Sequence, residues 1–248
     1  GRLMDFIRNT LLAGLADTPL LWSALTLLVY LTALKLYQKS GRNPLLLPVA
    51  TGVTVIILLL KFTGTPYAAY HDGTRLFHSF VGPVIVALAV PLYQQLARLK
   101  AHWFPLCVAT AVGSTAGILS GVLIAWALGG SEVTMVSIAG KSATMPIAMA
   151  LADKFHGLVA IAAVSVFLAG FGGVVIARPL LNLLRIEDPT VRGFSLGLTS
   201  HALGTARALQ HNETAGAFAA LGMALNGVVT PLLVPLLLWA THWLGILG

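Results

Sequence analysis

Residues 140–146 read Gly-Lys-Ser-Ala-Thr-Met-Pro, so a lysine and two hydroxyls interrupt an otherwise apolar run. Gly-Lys-Ser also ends the phosphate-binding P-loop, but that loop needs a glycine at position 135 and a preceding strand. Position 135 is methionine and the flanks are apolar, which argues against a nucleotide loop. A charge at the bilayer centre costs roughly 2.5–3.5 kcal/mol, so an intramembrane lysine indicates a functional site. We therefore interpret Lys141 as a ligand for a small anion, with the hydroxyls of Ser142 and Thr144 beside it.

A second polar interruption, Leu-Thr-Ser-His-Ala-Leu-Gly-Thr at residues 198–205, aligns with the first. Residues 137–151 match residues 195–209 without a gap at five positions. Gly140 and Pro146 are predicted to break the first segment, and Gly204 the second. A hairpin followed by one crossing, when repeated, has inverted topology. The pattern therefore predicts two broken elements that meet near the middle of the membrane, around a substrate.

The second interruption supplies further polar residues for the predicted site. Ser200 and Thr205 are predicted to contact the substrate, and His201 is the predicted proton carrier because imidazole titrates near neutral pH. Arg207 lies near the end of its segment, where it either binds the anion or extends to the membrane surface. Asn226 interrupts the last apolar segment, and an interhelical hydrogen bond explains it as well as a ligand role does.

Enzymatic and metal chemistry are not indicated. Ser200 and His201 are adjacent, so on a helix their side chains point about 100° apart and are not expected to form a nucleophile–base pair. All eight acidic residues fall at segment ends or in loops, and no histidine pair at metal-ligand spacing is joined by a buried acid. We therefore predict a protein that is not an enzyme and that uses no metal and no cofactor.

The composition indicates an integral membrane protein. Hydrophobic residues make up 57% of the chain and charged residues 9%, with a mean hydropathy of +0.89. A soluble domain carries about 25% charged residues. The formal net charge of +7 would suggest nucleic acid in a soluble protein, but basic residues gather in the cytoplasmic loops of membrane proteins. The predicted partner is the lipid bilayer, and no nucleic acid is expected.

Six apolar segments are long enough for membrane helices of about 20 residues. They cover residues 19–37, 44–61, 80–97, 104–128, 156–181 and 214–246. Basic residues follow the first, third and fifth segments, so these loops share the cytoplasmic side only if residues 132–152 enter and leave on one face. We predict an all-α integral membrane protein of about six transmembrane helices plus two broken or re-entrant hairpins, 132–152 and 190–210, in an inverted repeat. Both termini are then outside.

Several stretches together resemble a known family. They are Asn43-Pro44-Leu45-Leu46, the run from Val86 to Tyr93, Lys141-Ser142 with Thr144 and Pro146-Ile147-Ala148, Ser200-His201 with Gly204-Thr205-Ala206, and Gly216-Ala217-Phe218 with Asn226-Gly227. This pattern resembles the LrgB/CidB family over nearly the whole chain. That family comprises bacterial membrane proteins described as antiholin-like or as regulators of murein-hydrolase export. It also includes the plastid glycolate/glycerate translocator, and bacterial members are linked to movement of small carboxylates such as pyruvate.

The resemblance implies transport of a small monocarboxylate of the glycolate, glycerate or pyruvate class, and it leaves proton or sodium coupling open. The alternative is an antiholin-like regulator of murein-hydrolase export and cell lysis that acts with a small holin-like LrgA/CidA partner. Glycine-rich helix faces predict a homo-oligomer, although such faces serve close packing within one chain equally well. Residues 1–128 are predicted to form a scaffold for oligomerisation, and residues 129–248 the transport core. The expected location is the bacterial inner membrane.

Overall fold

The computed structural model describes residues 19–87 and 89–245, and every regular element in these ranges is helical. This confirms the predicted all-α class. Contacts between Cα atoms divide the chain into an N-terminal unit, residues 1–87, and a C-terminal unit, residues 88–248.

The N-terminal unit is built from four described helices and a 3-10 turn. They are α1 (Pro19–Lys39), the turn Pro44–Leu46, α2 (Pro48–Thr63), α3 (Tyr67–Gly73) and α4 (Arg75–Ala87). Asn43 begins the turn because its side chain accepts a hydrogen bond from the Leu45 N–H at 3.0 Å. α1 packs tightly on α3, since a Cβ on Gly73 would lie 2.7 Å from the Trp22 ring. The Ser23 hydroxyl also donates to the Gly73 carbonyl at 2.8 Å.

The C-terminal unit carries the two predicted hairpins. Its described helices are α5 (Ala89–Gln94), α6 (Leu96–Ala101), α7 (Trp103–Ala127), α8 (Glu132–Ala139), α9 (Met145–Lys154), α10 (Val159–Leu183), α11 (Pro189–Leu209) and α12 (Glu213–Trp243). The most extensive contact joins α11 to α12. Gly193 and Gly197 of α11 lie directly against the main-chain carbonyls of Ala215 and Ala219. The two helices therefore approach at backbone distance, which only glycine allows.

Among the described residues, four helices are long and apolar enough to cross a membrane: Leu20–Lys39, Trp103–Ala127, Val159–Leu183 and Glu213–Trp243. They fall in four of the six predicted segments. The second predicted segment forms α2, whose 16 residues are fewer than the roughly 20 of a full crossing. The third overlaps α4, α5 and α6, with Pro83 inside α4 and a break at Gln95 between α5 and α6. Residue 88, between α4 and α5, lies outside the described residues. The count of six crossings stays a prediction.

α11 folds back on itself at His201, where a φ of 42° and a ψ of −127° leave the helical region. A Cβ on Gly204 would clash with the carbonyl of Leu196. In a straight helix, Leu196 and Gly204 would be separated by about 12 Å along the axis, because each residue rises about 1.5 Å. Arg192 near the beginning of α11 and Arg207 near its end also line one cavity. The two arms of α11 therefore lie beside each other, which is the geometry of a hairpin.

α8 and α9 form a second reversal. Gly140 ends α8, and a Cβ there would lie 3.1 Å from the Cα of Ala148 in α9. The Ser137 hydroxyl of α8 accepts a hydrogen bond at 2.7 Å from the N–H of Leu158, which follows α9. The chain after α9 has thus come back beside α8. The inverted relation between this hairpin and α11 stays a prediction.

α7 belongs to the C-terminal unit, because the division between units falls at residues 87 and 88 and not at 128. Its glycine face, formed by Gly113, Gly117 and Gly121, packs on the two hairpins. The predicted scaffold of residues 1–128 thus includes a helix that touches the predicted transport core. The assignment of separate tasks to the two parts stays a prediction.

Asp188 caps the N-terminus of α11. Its carboxylate accepts hydrogen bonds from the N–H groups of Thr190 at 2.7 Å and Val191 at 3.4 Å. Hydrogen bonding by the Thr190 side chain, and then by these main-chain groups, lowers the pKa of the Asp188 carboxyl. Loss of such a cap reduces the free energy of unfolding by about 1 kcal/mol. We therefore expect the Asp188→Ala variant to melt at a lower temperature than the wild type near neutral pH.

This effect depends on pH. Because the folded pKa lies below the unfolded value of about 3.9, the carboxylate stabilises the protein above that value. The stabilisation is lost as the pH falls through the folded pKa. The melting temperatures of wild type and Asp188→Ala should therefore converge below about pH 4. Asp188→Asn is the control, since it keeps a capping oxygen that does not titrate. Equal melting temperatures of wild type and Asp188→Ala at neutral pH would contradict the capping role.

Candidate functional site

Asn226 of α12 joins four parts of the C-terminal unit. Its Nδ2 donates to the carbonyl of Ser142 at 2.7 Å and to that of Leu198 at 3.0 Å. Its Oδ1 accepts from the hydroxyls of Ser114 at 2.7 Å and Thr230 at 2.9 Å. The residue is 1% exposed, and a side-chain amide has two donor and two acceptor positions. All are used, so one amide holds the α8–α9 linker to α11 just before its turn.

Lys141 lies in the same linker. Its ammonium donates to the main-chain carbonyl of Gly117 on α7. Gly121, one turn further along α7, leaves room for the lysine side chain, since a Cβ there would lie 3.0 Å from Nζ. Among the described residues, carboxylate ion pairs occur at Asp72 and not at this lysine. A partly buried cation therefore lies beside the first break with no described carboxylate to neutralise it.

The rest of the linker is polar and leads into the N-terminus of α9. The Ser142 hydroxyl faces α7, where a Cβ on Gly117 would lie 3.0 Å from its Oγ. Thr144 is the N-cap residue of α9, but its side chain makes no capping hydrogen bond. Pro146 lies in the first turn, where a helix does not need its N–H. The linker thus brings together a cation, two hydroxyls and a helix N-terminus.

Ser200 and His201 pack on a glycine face of α10. Ser200 is fully buried against Gly173, and His201 lies against Gly170. The His201 Nε2 atom is 3.0 Å from the Val166 carbonyl. A carbonyl only accepts, so Nε2 carries the hydrogen and Nδ1 is the ring nitrogen that can bind another proton.

The turn in α11 lies at His201 and not at Gly204, where the sequence predicted it. Gly204 instead lets the return arm approach the Leu196 carbonyl. The Thr205 hydroxyl donates to the His201 carbonyl at 2.9 Å. A non-glycine residue at this φ is strained by about 1–3 kcal/mol and persists only where its surroundings hold it. The hydrogen bonds of the His201 ring and carbonyl hold it here.

Arg207 lies in a different place from Lys141. It is 7% exposed and lines a cavity of about 330 Å³ formed by α10, the α10–α11 loop, α11 and the start of α12, here termed the arginine cavity. Its polar lining residues are Arg178, Glu187, Arg192, Arg207, His211 and Asn212. Lys141 and Asn226 are not part of this lining. Lys141 and Arg207, which the sequence predicted to lie in one substrate site, therefore lie in two different environments.

Residues 193–197 read Gly-Phe-Ser-Leu-Gly, which has the letter pattern of a hydrolase nucleophile elbow. That elbow requires a sharp turn between a strand and a helix, whereas Ser195 lies inside α11. The two glycines are needed for close packing on α12. The pattern here is therefore explained by helix packing.

No sequence pattern singled out the hydroxyls of Ser114 and Thr230, which complete the hydrogen bonds of Asn226. The glycine faces were compatible with close packing either between two copies or within one chain. On α7 and α10 these faces pack on the linker and on α11 of the same chain. The spacing of Gly113, Gly117 and Gly121 is the signal that could have found this packing, since small residues one turn apart mark a close helix contact. The homo-oligomer stays a prediction.

The residues described above lie within a stretch of the chain that matches a known protein family. The model of the LrgB-like family matches residues 26–240. The chain belongs to this family. Protein YxaC of Bacillus subtilis (strain 168), described as uncharacterized, is 36% identical over 218 residues, which are 88% of this chain and 94% of that protein. An uncharacterized protein of Haemophilus influenzae is 31% identical over 215 residues, or 87% of this chain and 93% of that protein.

A third relative has a descriptive name. The antiholin-like protein LrgB of Bacillus cereus (strain B4264) is 27% identical over 219 residues, which are 88% of this chain and 95% of that protein. No solved structure matches. Membership of the LrgB-like family confirms the predicted family, and the four apolar helices agree with a multi-pass membrane protein.

Proposed function

We propose that this LrgB-like protein transports small monocarboxylates of the glycolate, glycerate or pyruvate class across the bacterial inner membrane. The observation that carries the proposal is the amide of Asn226, which bonds to both hairpins beside the cation of Lys141. Broken helices that meet around an unneutralised cation supply both the charge and the main-chain groups that a carboxylate needs. A substrate with one negative charge would balance the lysine.

The first break supplies most of the predicted contacts. The N–H groups and partial positive charge at the start of α9 favour an anion. The Thr144 hydroxyl makes no capping bond, so it can donate to a carboxylate or to a substrate hydroxyl, as can Ser142. Asn226 uses every hydrogen-bonding position within the protein, which supports a positioning role. Thr205 likewise donates to the His201 carbonyl, and supports the turn.

His201 is the proposed proton carrier. Its Nε2 is engaged by the Val166 carbonyl, so proton uptake would occur at Nδ1. A proton gained there would add a positive charge at the second break when the substrate anion is bound. Coupling by symport then requires only that the loaded site favours the protonated ring. Uptake that does not respond to a pH gradient would exclude this role and leave the transport proposal intact.

Transport is tested with the purified protein in liposomes. The wild type is expected to take up radiolabelled glycolate, glycerate or pyruvate with saturation. Lys141→Ala is expected to reduce the uptake at least tenfold, because the cation that offsets the carboxylate charge is removed. Lys154→Ala is the matched control, since Lys154 lies exposed at the end of α9. Absence of uptake of every two- or three-carbon acid by the wild type, or equal uptake by Lys141→Ala, would refute the proposal.

The second candidate function is an antiholin-like regulator of lysis, which the name of the Bacillus cereus relative favours. Such a protein would act by assembly with a holin-like partner and without a transport cycle. In a lysis assay, Lys141→Ala should then behave as the wild type, while changes on a partner surface should abolish the effect. A passive pore would instead show conductance that does not saturate with substrate.

A further inference from the structure

The arginine cavity lies outside the substrate contacts proposed at Lys141. It is bounded by the end of α10, the loop after it, both arms of α11 and the start of α12. Its volume of about 330 Å³ lies within the range of ligand sites, roughly 300–1,000 Å³. Three arginines from three different stretches of the chain converge on it, and this convergence calls for a chemical explanation.

The lining carries an excess of positive charge. Among the described lining residues there are three arginines, Arg178, Arg192 and Arg207, and one carboxylate, Glu187, so with His211 counted as neutral the balance is three minus one, or +2. Such an excess around a cavity favours an anion that carries more than one charge or several acceptor oxygens. A carboxylate of two or three carbons would leave one unit of this charge unbalanced.

The arginines are held by the fold. The Arg192 Nε donates to the Ile186 carbonyl at 2.6 Å, and its Nη2 donates to Asn182. This pair of bonds fixes the guanidinium and the loop between α10 and α11. Arg207 is 7% exposed on the return arm, whereas Arg178 is exposed near the end of α10. The cavity thus has a buried cation at Arg207, a half-buried cation at Arg192 that two hydrogen bonds hold, and an exposed cation at Arg178.

We propose that the arginine cavity is a second anion site, which binds a phosphate ester. Guanidinium groups bind phosphate through two parallel hydrogen bonds, and clusters of arginine are typical phosphate sites. The apolar part of the lining, which includes Val174, Leu181 and Leu196, suits the organic part of such an ester. The ester is either the headgroup of an anionic phospholipid or a soluble organic phosphate, since both present the same group.

Binding there has a consequence for α11. Arg192 belongs to the entering arm and Arg207 to the return arm, so one phosphate that contacts both would hold the two arms together. The turn at His201 lies between them. The site would therefore regulate how readily the hairpin changes shape, whatever ligand occupies the break at Lys141.

The test measures the melting temperature of the full-length protein in nanodiscs at constant ionic strength. Discs of phosphatidylcholine with added glycerol phosphate test a soluble ester, and discs containing phosphatidylglycerol test a lipid headgroup. At least one of the two additions, glycerol phosphate or phosphatidylglycerol, is expected to raise the wild-type melting temperature. For the same rise in melting temperature, Arg178→Gln should require at least a tenfold higher ligand concentration or lipid fraction than the wild type. Arg178 is chosen because it lines the cavity and is exposed.

The matched control is Arg185→Gln, which removes an exposed arginine from the neighbouring loop that does not line the cavity. An equal loss in Arg178→Gln and Arg185→Gln would indicate general charge attraction and overturn the proposal. The absence of stabilisation by both glycerol phosphate and phosphatidylglycerol would also overturn the proposal. Lys141→Ala should keep the phosphate effect even where it loses carboxylate uptake. Loss of the phosphate effect in Lys141→Ala would assign phosphate to the break and likewise overturn the cavity site.

Discussion

Replacing Asn226 by aspartate should lower the melting temperature strongly and abolish uptake. The aspartate oxygens can still accept from Ser114 and Thr230, but the ionised carboxylate carries no donor for the Ser142 and Leu198 carbonyls. Each buried acceptor that loses its donor costs roughly 1–3 kcal/mol. The combined loss of about 2–6 kcal/mol corresponds to a fall of roughly 4–24 °C in a protein of this size. Thermal unfolding in detergent and liposome uptake measure the two effects.

Two further variants separate the donor function from other effects at this position. Asn226→Leu removes donors and acceptors together, and it is expected to be at least as damaging because Ser114 and Thr230 also lose an acceptor. Val228→Ala is the control on the same helix, since Val228 is 65% exposed. Aspartate or leucine variants that melt with the wild type would show that Asn226 does not hold the hairpins together.

The Gly197→Ala variant should be among the most destabilised single-methyl changes in the chain. A Cβ at this position would overlap the main-chain carbonyl of Ala219. A carbonyl within α12 cannot move aside as a side chain can, so α11 and α12 must separate. Overpacking of a well-packed contact costs about 1–3 kcal/mol, and we expect the upper end of that range. The yield of monodisperse protein and its melting temperature should both fall.

Gly172→Ala is the matched control for this change. It adds the same methyl group to α10 at a position where, apart from the adjoining backbone of α10, no atom of the described residues lies within 4 Å of the new Cβ. Alanine is favoured over glycine inside a helix by about 0.5–1 kcal/mol, so this variant should be unchanged or slightly stabilised. Comparable melting temperatures for Gly197→Ala and the wild type would mean that the close contact of α11 with α12 does not contribute to stability.

The sequence predicted those features that depend on local composition. Low charge and long apolar runs identified the membrane class, and the polar residues within two of these runs located both breaks. Lys141 stood out because a charge within an apolar run is costly wherever the run folds. Asn226 was recognised as polar and buried, but its partners come from three other elements. No local pattern could therefore decide whether Asn226 forms interhelical hydrogen bonds or binds the ligand.

The features that the sequence did not predict depend on contacts between distant segments. The turn of α11 was assigned to Gly204 because glycine usually occupies strained backbone. The structure has His201 there, held by a carbonyl of α10. The arginine cavity exists only because α11 reverses and brings Arg192 near Arg207. The third apolar segment is interrupted at Gln95 between α5 and α6, a break that its hydropathy alone does not indicate.

The shared amide of Asn226 has a mechanical consequence. If either hairpin tilted alone, a buried carbonyl would lose its donor, at a cost of roughly 1–3 kcal/mol. The two breaks are therefore coupled, and displacement of one is transmitted to the other through a single side chain. Rearrangement in this part of the molecule should be concerted, with few stable intermediates between its end states. The C-terminal unit would then change between two states, with the Asn226 amide as the shared connection. An engineered second bond between the α8–α9 linker and α11 should restrict the unit to one of these states.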